Sequence, residues 1–483
     1  MLFNSHEFIF LFMPLAVAGF ALLSFGHHKA ALLWLTAVSL FFYGYWDWHS
    51  IWILVSSIVF NFACSRAIER STGSVSKRWL TFGVAGNLLA LGIFKYAGFA
   101  VEIVNDIAGT HFDRPGIALP LGISFFTFTQ IAYLVDVYWR LTADRDPARY
   151  ALFVAWFPHL VAGPILHHQP TMAQFADPGV ARLRSINWIV GLAFFSIGLA
   201  KKLLLADPLG AIAAPLFDAA RTQDISSAAG WIAALAYTFQ LYFDFSGYSD
   251  MAVGLSLLFG VRIPVNFLSP YKAANMIEFW RCWHISLSSF LRDYLYIPLG
   301  GNRKGPFRRY LNLFLTMLLG GLWHGASWNF VVWGGLHGLY LLINHAWRRF
   351  AGISSGPLLG GALTFLAVVI GWVFFRAADL ATAQRILTAM ASVWQFAGWS
   401  WAADPHLATL DIWRVAALIP VAAAIAFLLP NSVQITDGIL RAVQQPPAAA
   451  SRLAYVSMAV FGLMFGIGIV NLGKASAFLY FQF

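Results

Sequence analysis

Long apolar runs separated by short polar connectors set the pattern of this chain. They occur at Phe8–Phe25, Ala30–Trp46, Ser50–Cys64, Trp79–Phe94, Ile117–Val135, Ser185–Ala200, Gly230–Phe243, Met251–Val261, Tyr310–Trp347, Pro357–Phe375, Val415–Leu429 and Leu453–Leu472. One helix needs about 20 such residues to cross ~30 Å of hydrocarbon, slightly fewer with snorkelling ends. With merged or re-entrant pieces allowed for, the pattern predicts about eleven transmembrane helices. Barrel strands would alternate polar and apolar positions, and in lipid every backbone polar group must be paired internally. The expected fold is therefore all-α, a polytopic helical bundle. Its connectors, at Leu141–Arg149, Thr171–Arg184, Asp207–Ser227, Ala351–Gly356 and Arg441–Arg452, are too short for a second domain. The chain thus reads as one integral-membrane domain over 1–483, with a motif-bearing core at 117–345.

One segment departs from simple spans. FVAWFPHLVAGPILHHQP carries Pro158, Pro164 and Pro170, each of which removes a backbone donor and restricts the residue before it. A re-entrant or kinked element is expected there. Its histidines, His159, His167 and His168, read as interfacial or hydrogen-bonded structure, since cysteine or carboxylate partners for a metal are not evident nearby.

Composition agrees with a membrane protein: 59% of residues are hydrophobic and only 11% charged. A net charge of +10 at pH 7 would suit nucleic acid on a soluble domain, but no such domain is present to carry it, and basic cytoplasmic loops account for it. Lys29, Arg66, Arg70, Lys77 and Arg78 follow the first and third runs, whereas Asp47, Glu102, Asp106 and Asp113 follow the second and fourth. This asymmetry places the N-terminus outside the cytoplasm. No basic residue precedes the first run, so it does not read as a cleavable signal peptide. Two cysteines, Cys64 and Cys282, make neither a disulfide framework nor a zinc site.

Ionisable residues inside apolar runs are expensive and worth a functional hypothesis. Asp136 lies four residues before Arg140, which suits an i,i+4 salt bridge or an interfacial position. In QLYFDFSGYSDMAVG a helix would place Asp244 and Tyr248 on one face and Ser246 and Asp250 on another. Gly247 between them weakens the case for an unbroken helix. The block reads either as an interhelical hydrogen-bond network or as the lining of a substrate passage.

The stretch Asn275–His337 carries the sharpest change. From Tyr271 to Tyr310 it holds Lys272, Arg281, Arg292, Arg303, Lys304, Arg308 and Arg309 against two acids, Glu278 and Asp293. That surface reads either as a solvated cytoplasmic loop or as a docking site for donor phosphates. Beyond it, His324 in GGLWHGASWNF lies in a stretch without Asp, Glu, Lys or Arg. Desolvation disfavours the imidazolium, and a neutral imidazole can accept a proton from an attacking hydroxyl. A buried structural histidine is the alternative reading. His284, in RCWHISLSSF, is expected at the wetter end, where it orients a donor or holds a water. His337 comes thirteen residues after His324, a different face of one continuous helix, and reads as structural. Cys282, two residues before His284, would not face it on a helix and is a poor nucleophile candidate.

Taken together, EFWRCWHISLSSFLRDYLYIPLGGNR, LLGGLWHG, LYFDFSGYSDMA, LPLGISFFTF, FPHLVAGPI and FLYFQF resemble the membrane-bound O-acyltransferase family, most closely its branch of alginate O-acetyltransferase membrane subunits. The match spans most of residues 1–345 and the last few residues. The resemblance implies a multi-helix enzyme that moves an acyl group from a cytoplasmic thioester towards an acceptor on the far side of a bacterial inner membrane. The family's catalytic WHG histidine falls on His324, and its supporting WH histidine on His284. Asp244, Tyr248, Asp250, Trp323, Arg281, Arg292 and Asp293 complete the expected site as substrate-binding residues. Members often carry arginine where this chain has Cys282. By the same resemblance acetyl-CoA or another acyl thioester is the donor substrate, and no tightly bound cofactor or metal is expected. A periplasmic acetyltransferase of the AlgJ or AlgX kind is the expected partner, with an exported polysaccharide as final acceptor: alginate first, then acetylated cellulose or a similar polymer. Two alternatives stand beside this reading: D-alanyl transfer from a carrier protein to teichoic acid, and a polysaccharide or proton transporter relaying through Asp136, Asp244 and Asp250.

Overall fold

The computed structural model describes residues 1–179, 184–350, 356–392, 394, 400–443, 462–474, 476, 478 and 479. Of the sequence-based expectations, part of the Leu453–Leu472 run, most of the connectors at 351–356 and 441–452, residues 180–183 of the connector at 171–184 and the final motif residues 480–483 lie outside these. Within the described residues there is no strand, and every regular element is helical.

The helices, in order, are α1 (Met13–Ser24), α2 (His28–Trp46), α3 (Ile51–Arg70), α4 (Gly73–Leu91), α5 (Ala97–Ala108), α6 (Ile123–Tyr138) and α7 (Pro147–Ala155). They continue with α8 (Phe157–Leu160), α9 (His168–Ala176), α10 (Ser185–Ala200), α11 (Asp207–Ala219), α12 (Ser227–Leu258), α13 (Met276–Cys282) and α14 (Ile285–Leu291). The last described are α15 (Gly305–His324), α16 (Trp328–Phe350), α17 (Pro357–Arg376), α18 (Leu380–Ala391), α19 (Ile412–Leu428), α20 (Ser432–Val443) and α21 (Gly462–Asn471).

By length and composition four helical runs are able to cross a membrane: Ile51–Arg70, Gly73–Ala108, Ser185–Ala219 and Pro357–Arg376. The pair Ile412–Leu428 and Ser432–Ala442, bent by 57°, makes a fifth if taken as one span. Shorter apolar helices lie at Phe8–Ser24, Ile123–Tyr138 and Gly462–Asn471. Two of the sequence-based boundaries are corrected. Gly230–Phe243 and Met251–Val261, separate runs in the pattern, are joined by one 32-residue helix, α12, which ends at Leu258. Gly247 does not break it but seats it, because a Cβ there would stand 2.8 Å from the Gly198 carbonyl oxygen. Conversely, Tyr310–Trp347 is a hairpin of two helices turning at Gly325–Ser327.

Two compact units emerge: Met1–Ser196, Tyr248–Val265 and Ala442–Ala454 in one, and Ile197–Gly247, Asn266–Arg441 and Tyr455–Phe483 in the other. In the first, α3 and α4 are joined by a reciprocal amide pair, Asn61 Nδ2 donating to Asn87 Oδ1 at 3.1 Å and Asn87 Nδ2 to Asn61 Oδ1 at 2.6 Å. Such pairs act as polar glue where lipid offers no alternative partner. The proline-rich segment is a buried chain of short pieces, α7, α8 and α9, separated at Trp156 and at residues 161–167. His159 bonds the Phe153 carbonyl at 3.0 Å, and His168 the Thr142 hydroxyl at 2.8 Å. Gly122, at φ 71°, opens α6; a Cβ there would come within 2.7 Å of the Leu160 carbonyl oxygen.

In the second unit α15 and α16 pack backbone to backbone. A Cβ on Gly321 would sit 2.3 Å from the Phe330 carbonyl oxygen, and one on Gly334 would sit 2.6 Å from that of Met317. Large apolar side chains such as Leu358 and Trp413 stand 89% and 82% exposed, an arrangement suited to lipid and costly in water.

Candidate functional site

The site grows from two chain reversals in the second unit. The first lies between α13 and α14. Asn275 caps α13 by accepting from the Glu278 N–H at 3.1 Å, the helix ends at Cys282, and His284 turns the chain in the left-handed region at φ 43°, ψ 55°. That conformation costs about 1–2 kcal/mol for a residue with a Cβ, so its surroundings must hold it. They do: Leu268 N–H donates to the Cys282 carbonyl at 3.0 Å and Ile285 N–H to that of Asn266 at 3.1 Å. The Asn266 side-chain oxygen accepts from Ser286 N–H and from its hydroxyl, at 3.2 and 2.7 Å. The effect is to fold His284 inward.

The second reversal is the α15–α16 hairpin. Gly325 follows α15 in an extended conformation, and a Cβ there would fall 2.0 Å from the Phe330 ring, so any larger residue at the turn would have to displace that ring. His324 is consequently the last residue of α15, at the tip of the hairpin, and not midway along a span.

These reversals bring three of the sequence-predicted site residues together. Ring centroids are 6.5 Å apart for His284 and His324, 6.2 Å for His284 and Trp323, and 4.9 Å for Trp323 and His324. All three are buried, His284 to 1% and His324 to 5% exposure. The expectation that His284 occupies the wetter position is overturned by the inward fold of the α13–α14 break. Burial pushes its pKa down to about 3, so its imidazole is neutral at pH 7. Residues the sequence reasoning did not single out complete the walls. Phe245 meets His284 edge-on at 4.8 Å, and Trp333 and Phe375 meet His324 at 5.0 and 5.1 Å. Trp333 was findable from its place one helical turn before His337; nothing in the weakly patterned last third of the chain pointed to Phe375.

His337 is placed differently from the single-helix expectation. It belongs to α16, across the hairpin from α15, and its ring lies 4.6 Å from Trp333, which in turn touches His324. The helical-phase argument fails because the helix is interrupted between the two histidines. Phe279, Trp280, Tyr340 and Trp372 also surround His337.

The remaining predicted residues have the following contacts. Asp244 directs Oδ1 to Lys202 Nζ at 2.6 Å and Oδ2 to the Leu479 N–H at 2.9 Å. Tyr248 and Asp250 belong to the other unit, where the Tyr248 ring stacks on Phe3 at 4.9 Å and Asp250 is buried. Arg292 and Asp293 are paired with each other through two contacts of 2.7 and 2.9 Å. Arg281 is exposed in the last turn of α13. Arg140 reaches the carbonyls of Glu69, at 2.9 Å, and Ser71. Cys282 has its thiol pKa pushed up by burial, with Glu278 adding to it, which works against a thiolate nucleophile. Among the described residues no three His, Cys, Asp or Glu side chains are grouped to hold a metal ion.

The chain matches known proteins over its whole length. Residues 140–355 match the profile of the membrane-bound O-acyltransferase family. A peptidoglycan O-acetyltransferase of Helicobacter pylori is 43% identical across 81% of this chain and 80% of its own. A probable alginate O-acetylase, AlgI, of Azotobacter vinelandii is 40% identical across the full length of both. A teichoic acid D-alanyltransferase of Streptococcus thermophilus is 29% identical over 53% of this chain and 68% of its own.

Proposed function

The chain belongs to the membrane-bound O-acyltransferase family, and from that premise we propose that it acetylates a polysaccharide hydroxyl outside the bacterial inner membrane, drawing on a cytoplasmic acetyl thioester. It is an acyltransferase and a multi-pass membrane protein. The reading beyond that is carried by one observation: the family's WHG histidine, His324, is buried at the tip of a helical hairpin beside His284 and Trp323.

In this mechanism neutral His324 takes the proton of the acceptor hydroxyl as its oxygen attacks the thioester carbonyl carbon. The carbon–sulfur bond breaks, and the departing thiolate recovers the proton from the imidazolium, so the histidine ends as it began. No covalent enzyme intermediate is required. His284, held by its strained backbone, supports His324. The donor is acetyl-CoA, its phosphates engaged by the basic segment between Tyr271 and Tyr310. A seam on α16 supports a route inward: Trp333, His337, Tyr340, Asn344 and Trp347 recur at i, i+4, i+7, i+11 and i+14. Its outer members line a pocket of about 290 Å³ together with Asn275, Leu363 and Thr364.

Alginate and peptidoglycan are named for the relatives, and a secondary hydroxyl of an envelope polysaccharide is the acceptor class we assign here, with alginate first and a cellulose-type polymer next. A periplasmic acetyltransferase of the AlgJ or AlgX kind takes part in delivery. In this reading the N-terminus faces the periplasm, which the loop-charge asymmetry supports. The test is chemical analysis of extracellular polymer from cells carrying the intact protein or His324→Ala. Loss of O-acetyl groups at normal insertion of the variant is expected; unchanged acetylation would refute the mechanism.

Similarity to the teichoic acid enzyme favours D-alanyl transfer as the second reading. Offering purified protein acetyl-CoA or an aminoacylated carrier, and measuring which thioester is consumed, separates the two. A transporter relay is disfavoured by Asp244, whose two oxygens are engaged by Lys202 and the backbone of Leu479.

A further inference from the structure

The second unit contains a buried ionic cluster that the reaction outlined above does not use. Lys202 lies in the π-helical stretch Lys201–Ala206 that joins α10 to α11, and its side chain is 1% exposed. Its Nζ is 2.6 Å from Asp244 Oδ1 on α12 and 2.8 Å from Asp207 Oδ1 at the start of α11. The same two acids hold a third piece of chain. Asp244 Oδ2 accepts from the Leu479 N–H at 2.9 Å, and Asp207 Oδ1 accepts from the Ser476 hydroxyl at 2.6 Å. Lys202 also donates to Ser476 Oγ at 3.1 Å, with the Phe478 ring centroid 4.7 Å from its Nζ. One cation and two carboxylates thus fasten Ser476 and Leu479 to α11 and α12.

The other side of α12 faces the histidine site. Residue 245 is about 100° around the helix from residue 244, and Phe245 packs edge-on against His284 at 4.8 Å. Tyr242, two residues before the aspartate, reaches Trp283 at 6.4 Å. Removing a single member of a buried ion cluster leaves its partner uncompensated and forces rearrangement. Any shift of Asp244 therefore moves the wall behind His284.

We propose that Lys202 and Asp244 are positioning residues for acyl transfer, a latch that ties Ser476 and Leu479 to α12 and through Phe245 fixes the placement of His284. This inference rests on the acyl-transfer reading of the site. The pair is not a ligand site; it sets the rate through geometry.

The test uses full-length protein in nanodiscs with acetyl-CoA as probe and an alginate oligosaccharide as hydroxyl acceptor. The double variant Lys202→Met, Asp244→Asn removes one charge of each sign and so leaves the cluster's net charge unchanged, and paired replacement of this kind is compatible with folding. Its kcat is expected to fall by about tenfold or more at unchanged KM, whereas Lys202→Arg, which keeps the cation, stays within about threefold of the parent. In a background with Cys64 and Cys282 replaced by serine, Leu479→Cys is expected to be shielded from a small maleimide by the intact latch and labelled in the double variant. Wild-type kcat in the double variant, or equal shielding with and without the latch, overturns the proposal. Should the double variant not insert, the exposed Ser476→Ala decides: a fall of about threefold in kcat supports the latch, and an unchanged kcat overturns it. If the parent protein consumes no acetyl-CoA, the acetyl-donor reading fails, and the labelling result then decides the latch by itself.

Discussion

Gly321→Ala is a substitution of one methyl group that is expected to silence the enzyme without unfolding it. The added Cβ would lie 2.3 Å from the Phe330 carbonyl oxygen, 2.8 Å from Gly334 Cα and 3.0 Å from Gly334 N, all backbone atoms that no rotamer change can move. Ordinary contact begins at 3.4 Å, so α15 and α16 must separate by 3.4 minus 2.3, or about 1.1 Å. His324 ends α15 one helical turn beyond Gly321, and Trp333 faces it from α16 at 5.0 Å. The separation is therefore delivered to the site. Overpacking of this kind costs ~1–3 kcal/mol of stability, and a displacement of about 1 Å at a reacting centre lowers rate by about 100-fold, or ~2.7 kcal/mol of transition-state stabilisation. Gly335→Ala is the matched control on the same hairpin, since its Cβ would find only Leu318 Cδ1 at 3.9 Å and Phe314 Cζ at 4.0 Å. Both variants are to be compared for thioester consumption by purified protein in nanodiscs, with insertion checked by size-exclusion profile. Near-parental turnover in Gly321→Ala, or an equal fall in both variants, would refute the reasoning.

Other consequences are open to simpler measurements. Asn87→Leu removes the Asn87 donor from the Asn61 side-chain oxygen, while Asn61 Nδ2 keeps the Ser57 carbonyl, and is expected to lower stability by about 1 kcal/mol; adding Asn61→Leu should recover most of it in detergent melts followed by tryptophan fluorescence. Because burial holds the His284 pKa at about 3, below its ordinary value, the unfolded chain binds the extra proton first. Its contribution to stability is thus intact above the unfolded value near ~6.5 and declines as pH falls towards 3. His284→Asn, which tolerates the left-handed backbone, is expected to flatten that part of the melting-temperature profile; an identical slope in both proteins would count against the assignment.

Some of this was legible in the residues themselves. The apolar runs declare a helical membrane protein, because hydrocarbon leaves a backbone no partner outside itself, and the WHG and WH motifs single out His324 and His284. Other features depended on distance in the chain. Lys202 and Asp244 are separated by 42 residues, and the Leu479 amide by 235 more, so no local pattern joins them. Even so, paired lysines in an apolar run, Lys201 and Lys202, were a signal that a partner acid had to exist. His337 shows the reverse failure: periodicity placed it by counting along one helix, and the Gly325 turn made that count invalid.

By itself, then, the sequence determined fold class and family and nominated the two histidines, since these follow from hydropathy and short motifs. Tertiary structure alone decided that His284 is the more deeply buried of the two and that Trp333 and Phe375 wall His324. It alone decided that Asp244 faces a lysine rather than the histidines. The physical reason is the same in each case. A helix tells a residue which face it occupies, but which neighbour fills that face is set by close approach between distant segments, here at Gly321, Gly334 and Gly247, where the absence of a side chain lets one backbone rest on another.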